Sequence, residues 1–87
     1  MSNRLYIDVR SLSEVRVKIE GTISYPYLKV LANREAFCDF CAEAKQITLF
    51  CRSGRRSSLV KNILSASGIE NVEIKTPKKI KELLSDD

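Results

Sequence analysis

Ile47-Thr48-Leu49-Phe50 is an almost wholly apolar run that ends abruptly in a polar, glycine-containing segment. A strand with one wet face alternates polar and apolar residues. A run that does not alternate belongs at the centre of a parallel sheet covered on both sides. Parallel strands cannot be joined by a tight turn, and the crossover between them is usually a helix. Such a segment therefore requires helix-forming stretches before and after it, with further strands beyond them.

The sequence supplies them. Residues 5–9 (LYIDV) and 72–75 (VEIK) read as strands, and residues 22–25 (TISY) form a β-branched, aromatic strand candidate stopped by Pro26. Between the first two strand candidates, Ser11 and Glu14 have capping-box spacing, and Val15 and Ile19 would share a helical face up to the break at Gly21. Residues 27–31 suggest a helical turn. Asn33 is the expected N-cap of a helix over 34–45, with Phe37, Cys41 and Ala44 on one face and Phe40 beside them. After the polar segment, Ser57 or Ser58 is expected to open a helix carrying Leu59, Val60, Ile63 and Leu64, with Gly68 placed to end it. Thr76-Pro77 is a strong helix start, Thr as cap and Pro at the first position. Ile80, Leu83 and Leu84 give that last helix its stripe. Strands alternating with helices predict an α/β fold: three layers, α/β/α, around a mainly parallel sheet of four to five strands. With 87 residues and no linker or repeat, one domain over 1–87 is expected.

Composition narrows the chemistry. There is no histidine, so Ser-His-Asp and Cys-His catalysis and histidine metal sites are excluded within this chain. Fifteen Lys and Arg against eleven Asp and Glu leave a net charge of +4, which favours anionic partners. Three cysteines, Cys38, Cys41 and Cys51, are odd in number and too sparse for a secreted disulfide framework. No signal peptide precedes the first strand candidate, and no apolar run approaches the ~18 residues that span a bilayer. A reducing, cytoplasmic setting without membrane attachment is the expectation.

Cys51 begins the segment Cys51-Arg52-Ser53-Gly54-Arg55-Arg56-Ser57, between the buried strand and a helix. Ligands of open α/β sheets bind beyond the carboxyl ends of the strands. A tight turn there directs successive main-chain N–H groups inward, and the following helix adds the positive end of its dipole. That field favours a thiolate over a thiol. Arg52, Arg55 and Arg56 add positive charge, Gly54 permits the sharp turn, and the Ser57 hydroxyl can donate to the sulfur.

The same segment resembles the active loop of rhodanese-homology domains, six residues from the persulfide cysteine, here Cys51 to Arg56, followed by a small hydroxyl residue, here Ser57. Ile7-Asp8-Val9-Arg10 resembles that family's first signature. Residues 19–26, with Gly21, Ile23 and Pro26, resemble its second. Leu64, Gly68, Asn71 and Val72 match the helix-to-strand stretch after the loop. The match covers most of residues 5–75 in the family's order. Departures are Lys18 where the family commonly has a histidine, Thr76-Pro77 in place of a Gly-Gly turn, and no opening edge strand. The resemblance implies a sulfurtransferase. On that likeness Cys51 would take sulfane sulfur from thiosulfate or a persulfide and pass it to cyanide, a thiol or a protein cysteine. It implies that the amides from Arg52 through Ser57, Ser53 and Gly54 included, hold the persulfide. Arg52 and Arg55 would attract the anionic donor, Arg56 would close the loop, and Asp8 and Arg10 would be structural near its base. Neither cofactor nor metal is expected.

Other readings compete. Cysteine phosphatases place five residues between Cys and Arg; here Arg56 follows Cys51 after four, a cradle better sized for sulfur. Cys38-x-x-Cys41 suggests a disulfide oxidoreductase, but it lies within a helix, not at its start, and three cysteines without histidine make a poor zinc site. Lys75, Lys78, Lys79 and Lys81 could extend a phosphate-binding surface, yet no aromatic stacking pattern or nucleic-acid motif accompanies them. The alternative within the same fold is a catalytically weak rhodanese-homology module that docks an acidic partner.

Overall fold

The computed structural model describes residues 4–11, 13 and 18–84. In chain order the elements are β1 (Arg4–Asp8), β2 (Ile23–Ser24), α1 (Tyr27–Ala32), α2 (Arg34–Ala42), β3 (Gln46–Phe50), α3 (Arg55–Ala66), β4 (Val72–Lys75) and α4 (Pro77–Leu84). The four strands form one sheet in the order β2-β1-β3-β4, and every pairing is parallel. The α/β three-layer expectation holds, with the sheet at four strands. The capping-box helix expected after Ser11 falls at Glu14 and Val15 outside the described residues.

The apolar run lies where its composition requires. β3 pairs with β1 on one side (Ile7 opposite Leu49, Asp8 opposite Phe50) and with β4 on the other. Successive side chains point to opposite faces. Ile47 and Leu49 join Ile7, Val9, Val30, Phe37, Cys41, Val60 and Leu64 in a core under α1, α2 and α3. Phe50 faces the other way, with Ile19 and Ile80, under α4.

Local chemistry explains several element ends. Thr76 Oγ1 accepts the amide of Lys79 at 3.1 Å, and Pro77 begins α4. α3 ends in a Schellman arrangement: Gly68, at φ 84°, donates to the Ser65 carbonyl, and Ile69 donates to that of Leu64.

Four expectations are corrected. Asn33 does not cap α2 through its side chain; its Nδ2 donates back to the Lys29 carbonyl at 3.1 Å, because Asn33 also terminates α1. α2 ends at Ala42, not at residue 45, since Ala44 must descend to the sheet, where Asn71 Nδ2 binds its carbonyl at 2.8 Å. α3 begins at Arg55, earlier than Ser57, because Gly54 in the left-handed region turns the chain straight into the helix; Ser58 then donates to the Gly54 carbonyl. Phe40, Leu59 and Leu83, read as stripe residues or their neighbours, are exposed.

The strand order reverses at β1. The chain passes from β1 to β2 on one side, then crosses to β3 on the other. In such sheets the crevice at the reversal, beyond the strand carboxyl ends, is where ligands sit, and Cys51 follows β3 at that point.

Candidate active site

Cys51 alternates with Leu49 and so points to the face covered by α1–α3. It is 4% exposed, yet it forms part of the floor of an open depression of about 550 Å³ whose other walls include Arg52, Ser53, Arg55, Arg56, Tyr27 and Leu59. The turn after it brings the amide of Gly54 to 3.1 Å from Sγ. Gly54 has φ 84°. An L side chain there is strained by about 1–2 kcal/mol, although a Cβ would meet nothing within 4 Å. The glycine is needed for backbone conformation, not for space.

Burial by itself pushes the Cys51 thiol up. The Gly54 amide donates to Sγ, and together with the Ser57 hydroxyl and the amides of Ser57 and Arg56 turned toward the sulfur it outweighs that burial and holds the thiol below its ordinary value of 9.0. Ser57 is fully buried. Its Oγ has no partner of ordinary hydrogen-bond geometry, and the ionised sulfur of Cys51 is the group it favours. A buried hydroxyl without an acceptor costs about 1–3 kcal/mol, and negative charge at Cys51 relieves that cost.

Asp8 and Arg10 occupy the opposite face. Asp8, 1% exposed, accepts from the Arg10 amide at 3.0 Å, from Nε at 2.9 Å and from an Nη at 2.7 Å. The Arg10 guanidinium lies 5.6 Å from the centre of the Phe50 ring, and the amide of Val9 donates to the Phe50 carbonyl at 3.1 Å. The pair thus bears on the residue immediately before Cys51, from beneath the sheet, and does not line the depression.

Of the loop residues read from sequence, Arg52, Ser53, Arg55 and Arg56 line the depression; Gly54 and Ser57 act from its floor. Tyr27 and Leu59 were not foreseen. Tyr27 follows Pro26 at the end of the β2 segment, and Leu59 lies one helical turn past Arg55, an i, i+4 relation that places them on one side of α3. The spacing is visible in the sequence, where Leu59 also falls in the apolar pattern of α3.

The Cys38-Cys41 pair is differently placed. Cys41 is fully buried, and burial together with the neighbouring Cys38 pushes its thiol up to about 12. Cys38 accepts a hydrogen bond from Ser67 Oγ at 3.4 Å. A thiol held protonated to that extent is a poor nucleophile. Among the described residues no three metal-binding side chains cluster, and no helix is long and apolar enough to cross a membrane.

A solved structure of a rhodanese with anions, from E. coli, superposes on this chain with a TM-score of 0.68 and 28% sequence identity, covering 86% of this chain and 88% of that one. This chain is a rhodanese-like domain. No family model and no curated protein sequence matches it. In the rhodanese-like fold the Cys51 loop is thus set at the reversal of strand order, with a thiolate-favouring floor and a cationic rim.

Proposed function

We propose that this rhodanese-like domain is a sulfurtransferase that carries sulfane sulfur as a persulfide on Cys51. In the first step the Cys51 thiolate attacks the outer sulfur of thiosulfate. A new S–S bond forms at Sγ, the sulfur–sulfur bond of thiosulfate breaks, and its electron pair leaves on sulfite. In the second step a nucleophile attacks the terminal sulfur of the persulfide. The bond to Sγ breaks, and the electron pair returns to Cys51 as thiolate. Cyanide leaves as thiocyanate; a thiolate leaves as a new persulfide.

The observation that carries this reading is the Gly54 amide 3.1 Å from Sγ, at the start of α3. No imidazole is needed, because main-chain donors and the Ser57 hydroxyl favour the ionised sulfur. Arg52 and Arg55 are exposed at the rim, where fixed positive charge draws a dianionic donor toward the sulfur. That the similar E. coli rhodanese was solved with anions accords with an anion-binding site.

The test is intact-protein mass after incubation with thiosulfate. One added sulfur atom is expected, removed by cyanide and absent in Cys51→Ser. Absence of the adduct with thiosulfate and with a persulfide donor alike overturns the proposal.

A further inference from the structure

The depression over Cys51 does not stand alone. It shares Tyr27 and Leu59 with a groove of about 600 Å³ between α1, α2 and α3, walled by Leu31 and Ile63. It shares Tyr27 and Arg56 with a further depression of about 490 Å³, walled by Pro26 and Leu28. Two different borders of the cationic cradle therefore open onto apolar hollows. Cyanide or thiosulfate fills a small part of the central hollow and neither of the others. Leu28 is 72% exposed and Leu59 47%, and large apolar side chains grouped at a polar-rimmed site mark an interaction surface.

The charges around these hollows have one dominant sign. Lys29, Arg34, Arg52, Arg55 and Arg56 border them, against Glu35. A partner must therefore offer a thiol at its centre, negative charge beside it, and apolar groups to both sides. A small thiol cannot place apolar groups in both flanking hollows while its sulfur reaches Cys51. An extended chain can, since its reach grows by about 3.3 Å with each residue.

Resting on the sulfur-transfer reading, we infer that the natural sulfur acceptor is a cysteine in an extended, acidic segment of a second protein, with apolar residues on either side of that cysteine. The segment lies across Tyr27. Its cysteine thiolate attacks the terminal sulfur of the Cys51 persulfide, takes that sulfur to become a persulfide itself, and releases Cys51 as thiolate. Acidic residues face Arg52 and Arg55, and complementary charge sets orientation and speeds encounter.

The experiment uses a blocked peptide with aspartates beside a central cysteine and leucines at its ends, and a control with lysines in place of the aspartates. Binding is read by fluorescence anisotropy with the peptide cysteine changed to serine, so it does not depend on chemistry. Discharge of the persulfide is read by mass. The acidic peptide is expected to bind at least about tenfold more tightly than the basic one, and to discharge the persulfide faster than free cysteine or mercaptohexanoate. Leu28→Ser and Arg34→Glu, both at exposed positions, are expected to weaken acidic-peptide binding about tenfold together while leaving cyanide discharge unchanged. Equal binding of the two peptides, no effect of the variants, or discharge by mercaptohexanoate as fast as by the peptide overturns the inference. Peptide binding without any persulfide on Cys51 refutes sulfur transfer and leaves the docking surface standing. A persulfide that cyanide removes, with no peptide binding, does the reverse.

Discussion

Replacing Ser57 by alanine removes a fully buried hydroxyl whose favourable interaction is with the ionised form of Cys51. The fold should tolerate this well, because an orphaned polar group is lost along with the oxygen. The sulfur should not. The midpoint of Cys51 alkylation by iodoacetamide against pH is expected to rise in Ser57→Ala relative to wild type. The sign for stability follows from the same ionisation. The native thiol titrates below the unfolded value of 9.0, so this contribution is complete above pH 9.0 and fades as the pH falls through the native midpoint. Cys41 behaves oppositely. Pushed up to about 12, it should stay unlabelled in a brief alkylation at neutral pH that modifies Cys51, as peptide mapping would register. Gly54→Ala is expected to cost about 1–2 kcal/mol in urea unfolding, and to slow persulfide formation as the amide at 54 leaves its place by Sγ.

At the level of elements, β3 and α3 define the site and the β1 end supports it. Asp8→Ala strips three hydrogen bonds from the Arg10 side chain and backbone. Arg10 reaches solvent in part, so the loss should be about 2 kcal/mol, below the range for a sealed ion pair. It is measurable as a lower urea midpoint. The apolar run at 47–50, the Thr76-Pro77 start and Gly68 were legible from sequence because each reflects a local constraint: two-sided burial, a cap that accepts an amide, a positive φ. The residues of the Cys51 loop were legible for the same reason, a glycine and amide donors between strand and helix. Asn33 was not, because it serves two helices at once and its side chain turns back to the first. Leu59 falls in the apolar pattern of α3 yet is exposed, because periodicity identifies a helical face without saying whether a neighbour covers it. Tyr27 joins the site only through tertiary packing, which no local pattern encodes.

Across the whole molecule, a net charge of +4 combines with arginines gathered at one crevice. If thiosulfate is steered there by that field, persulfide formation should slow markedly as ionic strength rises from about 0.01 to 0.15 M, as the screening length falls from about 30 to 8 Å. A neutral alkylating agent at the same Cys51 should show little such dependence. Rate against salt for the two reagents, measured side by side, checks this.

The sheet separates two duties at a single peptide bond. Phe50 turns toward α4 and the Asp8–Arg10 clamp, while Cys51 turns toward the helices that wall the crevice. Foundation and doorway thus stand in different rooms of the molecule. Exchanging Leu28 or Leu59, both exposed beside the doorway, should leave the masonry beneath the sulfur in place.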